Sequence, residues 1–233
     1  LYPYEVNFNG TKYLLEQIHG SRTKFVYTST SEVYGKNPDV PWAEDDNQVL
    51  GSPTTPRWSY AVSKSLCEHM IHQFSDVDLG VSSAIVRPFN LYGPYQRPDF
   101  VIPKFIKMVL EGEAPTVYDD GTQSRCFTYI DDFVEGIVRA SEAEHDGSAV
   151  YNLGGTDEIQ IKDLANHIID TADEDVGEPR FVSREQATGR DFDDIETRIP
   201  DVSRAKRELD WEATTSLTEG LEETIEWMRE TEP

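Results

Sequence analysis

The stretch Tyr60-Ala61-Val62-Ser63-Lys64 places a phenol and an ammonium four positions apart, at the start of an apolar-periodic segment. Side chains at this spacing share one face of an α-helix, and the periodicity predicts a helix over residues 58–74. An ammonium beside a phenol favours the phenolate, so Lys64 is expected to lower the pKa of Tyr60 toward neutrality. The pair is a candidate acid/base centre, although Tyr-x-x-x-Lys alone is a common pattern.

A second signal lies upstream, at the end of a predicted strand. Phe25-Val26-Tyr27-Thr28 is a short β-branched and aromatic run, typical of a buried strand, and Ser29-Thr30-Ser31-Glu32 follows it directly. A helix predicted over residues 4–18 precedes this strand. A second strand, predicted over 81–86, ends in Arg87-Pro88-Phe89-Asn90. Because open parallel sheets bind ligands at the carboxyl ends of their strands, both polar ends are expected to border one crevice.

The rest of the chain alternates between strand and helix signals, as α/β proteins do. The segment 37–57 is rich in polar residues, Pro and Gly, and predicts a loop over the crevice. An Asp is expected to cap the helix over 131–141. The remaining predictions are strands over 115–118, 124–130, 150–153 and 180–182, and helices over 101–110, 131–141, 161–171, 203–209 and 217–228.

The composition is strongly acidic, with a formal net charge of −23 and an isoelectric point near 4.4. This charge argues against nucleic acid and against anionic membrane surfaces, since both attract cationic proteins. The acidic residues are dispersed rather than gathered in a tail, which indicates a solvated coat and predicts a salt-loving source. The run 191–194 is interpreted as part of this coat and not as a cation site.

The chain has two cysteines, Cys67 and Cys126, which is too few for a disulfide framework. His69 and His72 form the one close histidine pair, but they have no ligand partners at suitable spacing, so no metal site is predicted. No signal peptide begins at Leu1, and no apolar run is long enough to cross a membrane. These features predict a soluble, cytoplasmic protein.

One expected motif does not occur in the sequence. Dinucleotide-binding folds begin with a strand, a glycine-rich turn and a helix, yet no Gly-x-Gly-x-x-Gly pattern is present. We therefore expect that leading strand–helix units precede Leu1 in the complete protein. The acidic residue that distinguishes NAD from NADP falls in that part of the fold, so the choice between them stays open at this point.

The ordered motifs of this chain resemble the extended short-chain dehydrogenase/reductase family, which contains NAD-dependent epimerases and dehydratases of nucleotide sugars. The resemblance covers essentially the whole sequence. The motifs are Thr30-Ser31-Glu32-Val33-Tyr34-Gly35, Tyr60-Ala61-Val62-Ser63-Lys64, Arg87-Pro88-Phe89-Asn90-Leu91-Tyr92-Gly93-Pro94, Tyr118-Asp119-Asp120-Gly121, Arg125-Cys126-Phe127-Thr128, Tyr151-Asn152-Leu153-Gly154 and Pro200-Asp201-Val202-Ser203.

The resemblance implies a Rossmann-type doubly wound parallel sheet, with its N-terminal portion outside this chain, and a smaller α/β substrate-binding domain. The first domain would comprise residues 1–95. The second would comprise 96–233, with about 126–153 returning to the Rossmann sheet. The helices at 4–18 and 58–74 resemble those that pair relatives into homodimers, so a homodimer is expected by analogy.

The resemblance also implies roles for individual residues. Tyr60 would be the catalytic base, Lys64 would lower its pKa and hold the nicotinamide ribose, and Thr30 would bond the sugar hydroxyl that is oxidised. NAD would be the cofactor, and a UDP-sugar the substrate. The cofactor-binding set is Ser29, Tyr60, Lys64 and Pro88. The substrate-binding set is Asn90, Tyr118, Arg125 and Arg198, of which the two arginines would clamp the nucleotide phosphates.

The sequence Thr30-Ser31-Glu32 discriminates within the family. Nucleotide-sugar 4,6-dehydratases carry Asp-Glu after the Thr, whereas Thr-Ser-Glu is similar to UDP-glucuronate decarboxylases. This implies decarboxylation through a 4-keto intermediate, with Ser31, Glu32 and Arg125 acting on the carboxylate. Two alternatives remain open: 4-epimerisation or 4,6-dehydration of another nucleotide sugar, and a non-catalytic remnant that binds nucleotide sugars.

Overall fold

The computed structural model describes residues 4–21, 23–76, 81–183 and 195–231, together with residues 2 and 185. The acidic run 191–194 lies outside these described residues. The strands are β1 (Phe25–Thr28), β2 (Ser83–Pro88), β3 (Leu91–Tyr92), β4 (Thr116–Tyr118), β5 (Ser124–Cys126), β6 (Thr128–Tyr129), β7 (Ser148–Leu153), β8 (Glu158–Gln160), β9 (Arg180–Val182) and β10 (Thr197–Arg198). The helices are α1 (Gly10–Ile18), α2 (Trp58–Asp76), α3 (Val101–Leu110), α4 (Ile130–Glu142), α5 (Ile161–Ala172), α6 (Ser203–Leu209) and α7 (Leu217–Thr231).

The central sheet has the order β1-β2-β7, and both of its pairings are parallel. Side chains of β2 alternate between its two faces. Ile85 joins a core with Leu15 of α1 and Ile71 of α2, while Val86 joins one with Phe133 of α4. Helices therefore cover both faces of a parallel sheet, which confirms the predicted Rossmann-type α/β fold.

A second apolar core is built from α3, α5 and α7, with contributions from β4 and β6. Phe105, Leu164 and Leu221 lie at its centre and are almost entirely buried. Three small sheets are formed by strands from the same part of the chain, with the orders β10-β5-β8, β3-β6 and β4-β9. The predicted division of the chain into two domains at residue 95 stays a prediction.

Most predicted elements are confirmed, because their apolar periodicities are regular. Phe25–Thr28, Val101–Leu110, Arg180–Val182 and Ser203–Leu209 have the predicted bounds. The helix predicted over 4–18 begins as a π-helical segment, Tyr4–Asn9, and continues as α1. The extended stretch predicted over 124–130 is two short strands, and Ile130 already belongs to α4.

The predicted Asp cap of α4 is wrong. Tyr129 occupies the cap position, and no side chain caps the helix. The carboxylate of Asp132 instead accepts hydrogen bonds from the backbone N–H groups of Thr214 and Thr215, at 3.2 and 3.0 Å. The Asp132 carboxylate, in the first turn of α4, thus holds the loop that leads to α7, because the backbone N–H groups of that loop need an acceptor.

Cys67 and Cys126 are both buried and form no disulfide. Within the described ranges, the structure has no helix with the length and hydrophobicity needed to cross a membrane.

Candidate active site

A cavity of about 920 Å³ lies at the carboxyl ends of β1 and β2, facing the core of α3 and α5. It brings together residues from distant parts of the chain. The predicted site residues that line it are Thr30, Ser31, Glu32, Tyr60, Pro88, Asn90, Tyr118, Arg125 and Arg198. Ser29 and Lys64, which were also predicted, do not line it.

Tyr60 and Thr30 form the polar pair at the sheet end of this cavity. Thr30 is extended, and its hydroxyl accepts the backbone N–H of Glu32 at 3.2 Å, which caps the short 3₁₀ helix Ser31–Tyr34. The Thr30 side chain lines the same cavity and counteracts the burial that raises the pKa of the Tyr60 phenol. Tyr60 is 43 % exposed, so a ligand in the cavity can reach its phenol.

Lys64 does not act on Tyr60 as predicted. Its ammonium donates to the Thr28 carbonyl at 2.8 Å and lies 4.6 Å from the centroid of the Tyr27 ring. Burial raises the pKa of Tyr60; the Thr30 side chain opposes this rise, and the charge of Glu32 adds to it. The expected lowering of the Tyr60 pKa is therefore wrong for this arrangement, because β1 passes beneath Lys64 and holds its ammonium.

Glu32 lies between two arginines. Its Oε1 is 2.5 Å from Nη1 of Arg198, and its Oε2 is 3.2 Å from Nη2 of Arg57. The three side chains come from the 3₁₀ helix, from β10 and from the residue before α2. Sequence reasoning did not single out Arg57 as a site residue, although its position one helical turn before Tyr60 could have placed it near the site.

The two predicted clamp arginines are neighbours across a strand pair. Arg125 of β5 lies opposite Arg198 of β10 in a parallel register. Arg125 is 8 % exposed, and its Nη1 donates to the carbonyls of Ser124 and Glu196 at 2.7 and 2.9 Å. These bonds hold the guanidinium at the cavity wall, so the pair forms a cationic surface there.

Asn90 and Tyr118 border the same cavity. The Asn90 backbone is left-handed, with φ of 38°, and its side-chain amide donates to the Cys126 carbonyl at 2.8 Å. The Tyr118 hydroxyl accepts from Nζ of Lys104 at 3.3 Å, and that ammonium lies 5.0 Å from the centroid of the ring. Lys104 is a further cavity residue that sequence reasoning missed, although it sits on a predicted helix.

The cavity wall has the opposite charge to the protein as a whole. Among the residues that the structure describes, Arg97, Lys104, Arg125 and Arg198 line it, against two carboxylates, Glu32 and Asp99. A chain with a net charge of −23 thus concentrates cations around one cavity. Such a wall fits an anionic ligand, since planar guanidinium groups match phosphate and carboxylate oxygens.

A buried polar network lies behind the cavity, and sequence reasoning missed it. Arg87 donates to both carboxylate oxygens of Glu68, at 3.0 and 2.6 Å, and to the Tyr34 hydroxyl at 2.8 Å. Tyr34 in turn donates to Oδ1 of Asn152 at 2.7 Å. The Ser29 hydroxyl donates to Glu68, so it is directed into this network rather than toward the cavity.

The residues predicted to hold the cofactor surround the carboxyl ends of β1 and β2. A phenol, an ammonium and the ring of Pro88 stand there, and the Lys64 pKa is lowered by burial. This donor set fits the ribose hydroxyls and the nicotinamide end of a dinucleotide. No group of three or more His, Cys, Asp or Glu side chains that could hold a metal ion occurs in the described part of the chain.

Comparison with known proteins identifies the family. The family model described as GDP-mannose 4,6 dehydratase matches residues 1–224. The UDP-N-acetyl-α-D-glucosaminuronate decarboxylase of Bacillus cytotoxicus is 37 % identical over 231 residues, which cover 98 % of this chain and 70 % of that protein.

Two solved structures have the same fold over nearly all of this chain. The UDP-glucose 4-epimerase of Thermotoga maritima, solved with UDP-glucose, has a TM-score of 0.85 and 29 % identity, covering 98 % of this chain and 71 % of its own. The UDP-glucuronic acid 4-epimerase of Bacillus cereus, in complex with UDP-glucuronic acid and NAD, has a TM-score of 0.81 and 31 % identity, covering 96 % and 67 %. The chain therefore belongs to the GDP-mannose 4,6-dehydratase family of NAD-dependent epimerases, dehydratases and decarboxylases of nucleotide sugars.

Proposed function

We propose that this protein decarboxylates a UDP-linked uronic acid, UDP-glucuronate in the first instance, with NAD as its cofactor. The observation that carries the proposal is the cationic cavity wall beside the Thr30–Tyr60 pair, in a protein that is otherwise strongly acidic. A UDP-uronic acid brings two phosphates and a carboxylate, and each needs a cationic partner. The 37 % identity with a decarboxylase of a related UDP-sugar supports the same choice.

The first step is proton removal from the sugar 4-hydroxyl. Tyr60 takes this proton as general base, while the Thr30 hydroxyl bonds the same oxygen and holds it in place. NAD, when bound, supplies the hydride acceptor for the sugar carbon. Lys64 and Pro88 contribute to holding the cofactor from the strand ends, while Ser29, which bonds Glu68, helps to fix the end of β1.

The second step is loss of carbon dioxide. A ketone at C4 is β to the C6 carboxylate, so the electrons of the breaking C–C bond pass into an enolate. Ser31 and Glu32 orient the carboxylate and manage the proton that returns to carbon, and Arg125 stabilises the developing negative charge. Arg125 and Arg198 also bind the nucleotide phosphates, with Asn90 at the pyrophosphate and Tyr118 beside the base.

A 4-epimerase is the second candidate function, because the Thr30–Tyr60 pair suffices for oxidation at C4 and solved neighbours with this fold are epimerases. A 4,6-dehydratase fits less well, since Ser31 occupies the position where those relatives carry an acidic residue. A non-catalytic nucleotide-sugar-binding protein would retain binding without turnover.

The test is product analysis. The protein, purified in its natural full length with NAD, is incubated separately with UDP-glucuronate, UDP-glucose and UDP-GlcNAc, and products are identified by NMR. From UDP-glucuronate we expect UDP-xylose, formed when the hydride taken up from C4 is returned to the ketone, or the UDP-4-keto-pentose, with one NADH left for each molecule released. We expect no decarboxylated product from the other two. UDP-galacturonate as the sole product would establish the epimerase instead. Mass spectrometry for bound NAD separates both from the non-catalytic alternative.

We also propose that the protein is a homodimer. Its first helical segment and α2 contact each other and expose large apolar side chains, among them Tyr13, Leu14 and Leu66, at 61, 58 and 43 %. An apolar patch of this kind on a charged surface is typical of an interface. Light scattering after size exclusion should give twice the chain mass, and Leu14→Glu should convert it to the monomer.

A further inference from the structure

The Glu32 carboxylate divides its two oxygens between two guanidinium groups, Oε1 to Arg198 and Oε2 to Arg57. All three side chains are largely shielded, with exposures of 21 % for Glu32, 11 % for Arg198 and 12 % for Arg57. Glu32 and Arg198 line the cavity, whereas Arg57 stands behind Glu32. The carboxylate is thus fixed from two sides at the wall of the proposed substrate site.

Arg57 is itself fixed by a second contact. Its guanidinium carbon lies 5.0 Å from the centroid of the Trp58 ring, which is only 2 % exposed. Stacking on a buried indole orients the planar guanidinium and lowers the entropy lost in its ion pair. Trp58 begins α2, the helix that carries Tyr60, so Arg57 links Glu32 to the acid/base helix.

The charges explain why such a link is needed. A sugar carboxylate that approaches Glu32 meets a like charge, which disfavours binding. With Arg198 and Arg57 in place, the three side chains together carry a net positive charge, and Arg125 adds another. Without Arg57, the charge of Glu32 is offset by Arg198 alone, and Arg198 is also needed for the substrate phosphates.

We propose, on the basis of the proposed decarboxylation, that Arg57 is a positioning residue that determines specificity. It holds Glu32 and offsets its charge, so that the cavity accepts a sugar carboxylate in preference to a neutral hydroxymethyl group. Its action is indirect, through Glu32, and requires no contact with the substrate.

The test is a comparison of two ligands that differ at C6 only. Calorimetry on the NAD-loaded protein gives Kd for UDP-glucuronate and for UDP-glucose. Arg57→Met should weaken UDP-glucuronate about tenfold to a hundredfold and change UDP-glucose by less than about twofold. Arg57→Lys, which keeps the charge but not the planar fork, should give an intermediate loss for UDP-glucuronate alone. Arg207→Met removes an exposed Arg–Glu pair and should change neither ligand.

Coupling between the two residues distinguishes an indirect role from a general structural one. If Arg57 acts through Glu32, Arg57→Met should raise the Kd for UDP-glucuronate by less than about threefold when Glu32 is already replaced by Gln. Equal weakening of both ligands, by Met or by Lys, would overturn the proposal, as would an undiminished effect in the Glu32→Gln background. These readouts need no turnover, so a wild-type protein that releases no carbon dioxide refutes the proposed reaction separately from this discrimination.

Discussion

Two arginine–carboxylate clusters stand at the carboxyl ends of β1 and β2, and they differ in what surrounds them. Arg87 and Glu68 are 5 and 3 % exposed, and Arg87 also bonds Tyr34 and the Glu44 carbonyl. Glu32, with Arg57 and Arg198, lies beside an open cavity. The first cluster is closed on itself and joins strand ends, whereas the second faces the cavity in which we propose that the nucleotide sugar binds. On that proposal, similar chemistry serves structure in one place and recognition in the other, and access to the cavity makes the difference.

The largest effect on stability should come from breaking the closed cluster. Arg87→Met leaves the Glu68 carboxylate buried without its partner, which is expected to cost about 3–5 kcal/mol in free energy of unfolding. Urea unfolding followed by circular dichroism measures this cost. Arg57→Met is the matched control in the open cluster and should cost about 1 kcal/mol or less, since the Glu32 carboxylate keeps its ion pair with Arg198. Equal costs for the two variants would contradict the comparison.

The largest effect on rate should come from Tyr60. Tyr60→Phe should lower kcat about 10²–10⁴-fold with little change in stability, because it removes the general base and retains the ring. If Tyr60 is the base as proposed, its deprotonated phenol is the active form, and because burial raises the Tyr60 pKa, the rate should increase as pH rises above neutrality. Initial rates against pH test this. A Tyr60→Phe variant that retains the same pH profile would assign the base to another group.

A smaller effect is expected at Glu32. Glu32→Gln should reduce decarboxylation about tenfold to a hundredfold, since the amide oxygen can still accept from one arginine, but the NH₂ group can accept from neither and the side chain carries no charge. The free energy of unfolding should change by less than about 1 kcal/mol. Carbon dioxide release and urea unfolding on the same preparation provide both values. Undiminished release would remove Glu32 from the mechanism.

The smallest effect concerns the acidic surface. If the dispersed carboxylates form a solvated coat adapted to salt, screening should raise the melting temperature by several degrees between low and molar KCl. Neither arginine cluster should account for most of the change in melting temperature. The Arg57→Met variant should therefore show the same slope of melting temperature against KCl concentration as the wild type. A flat or falling curve would contradict a salt-loving origin.

Sequence periodicity predicted the fold well, because β1, α3 and α6 are decided by local apolar patterns. It also placed Thr30, Glu32 and Asn90 around one site, since polar residues that follow parallel strands meet at one edge of the sheet. It failed where the partner is distant in the chain. The separation of Arg57 and Glu32 in the sequence does not indicate that they are in contact, and the same is true of Arg87 and Glu68.

The direction of the Lys64 side chain was also beyond prediction. Helical spacing places Tyr60 and Lys64 on one face, but the Thr28 carbonyl, which holds the ammonium, belongs to another element. The same limit explains Asp132, whose carboxylate satisfies the loop before α7 and not the start of its own helix. Local patterns fix where a residue sits, and tertiary contacts decide what its side chain binds.

The most direct test of the account is the stoichiometry of carbon dioxide release by the wild-type protein with NAD and UDP-glucuronate labelled at C6. We predict about one molecule of labelled carbon dioxide for each molecule of UDP-glucuronate consumed, as the β-keto acid chemistry requires. Consumption of UDP-glucuronate with the label retained in a UDP-sugar would contradict decarboxylation.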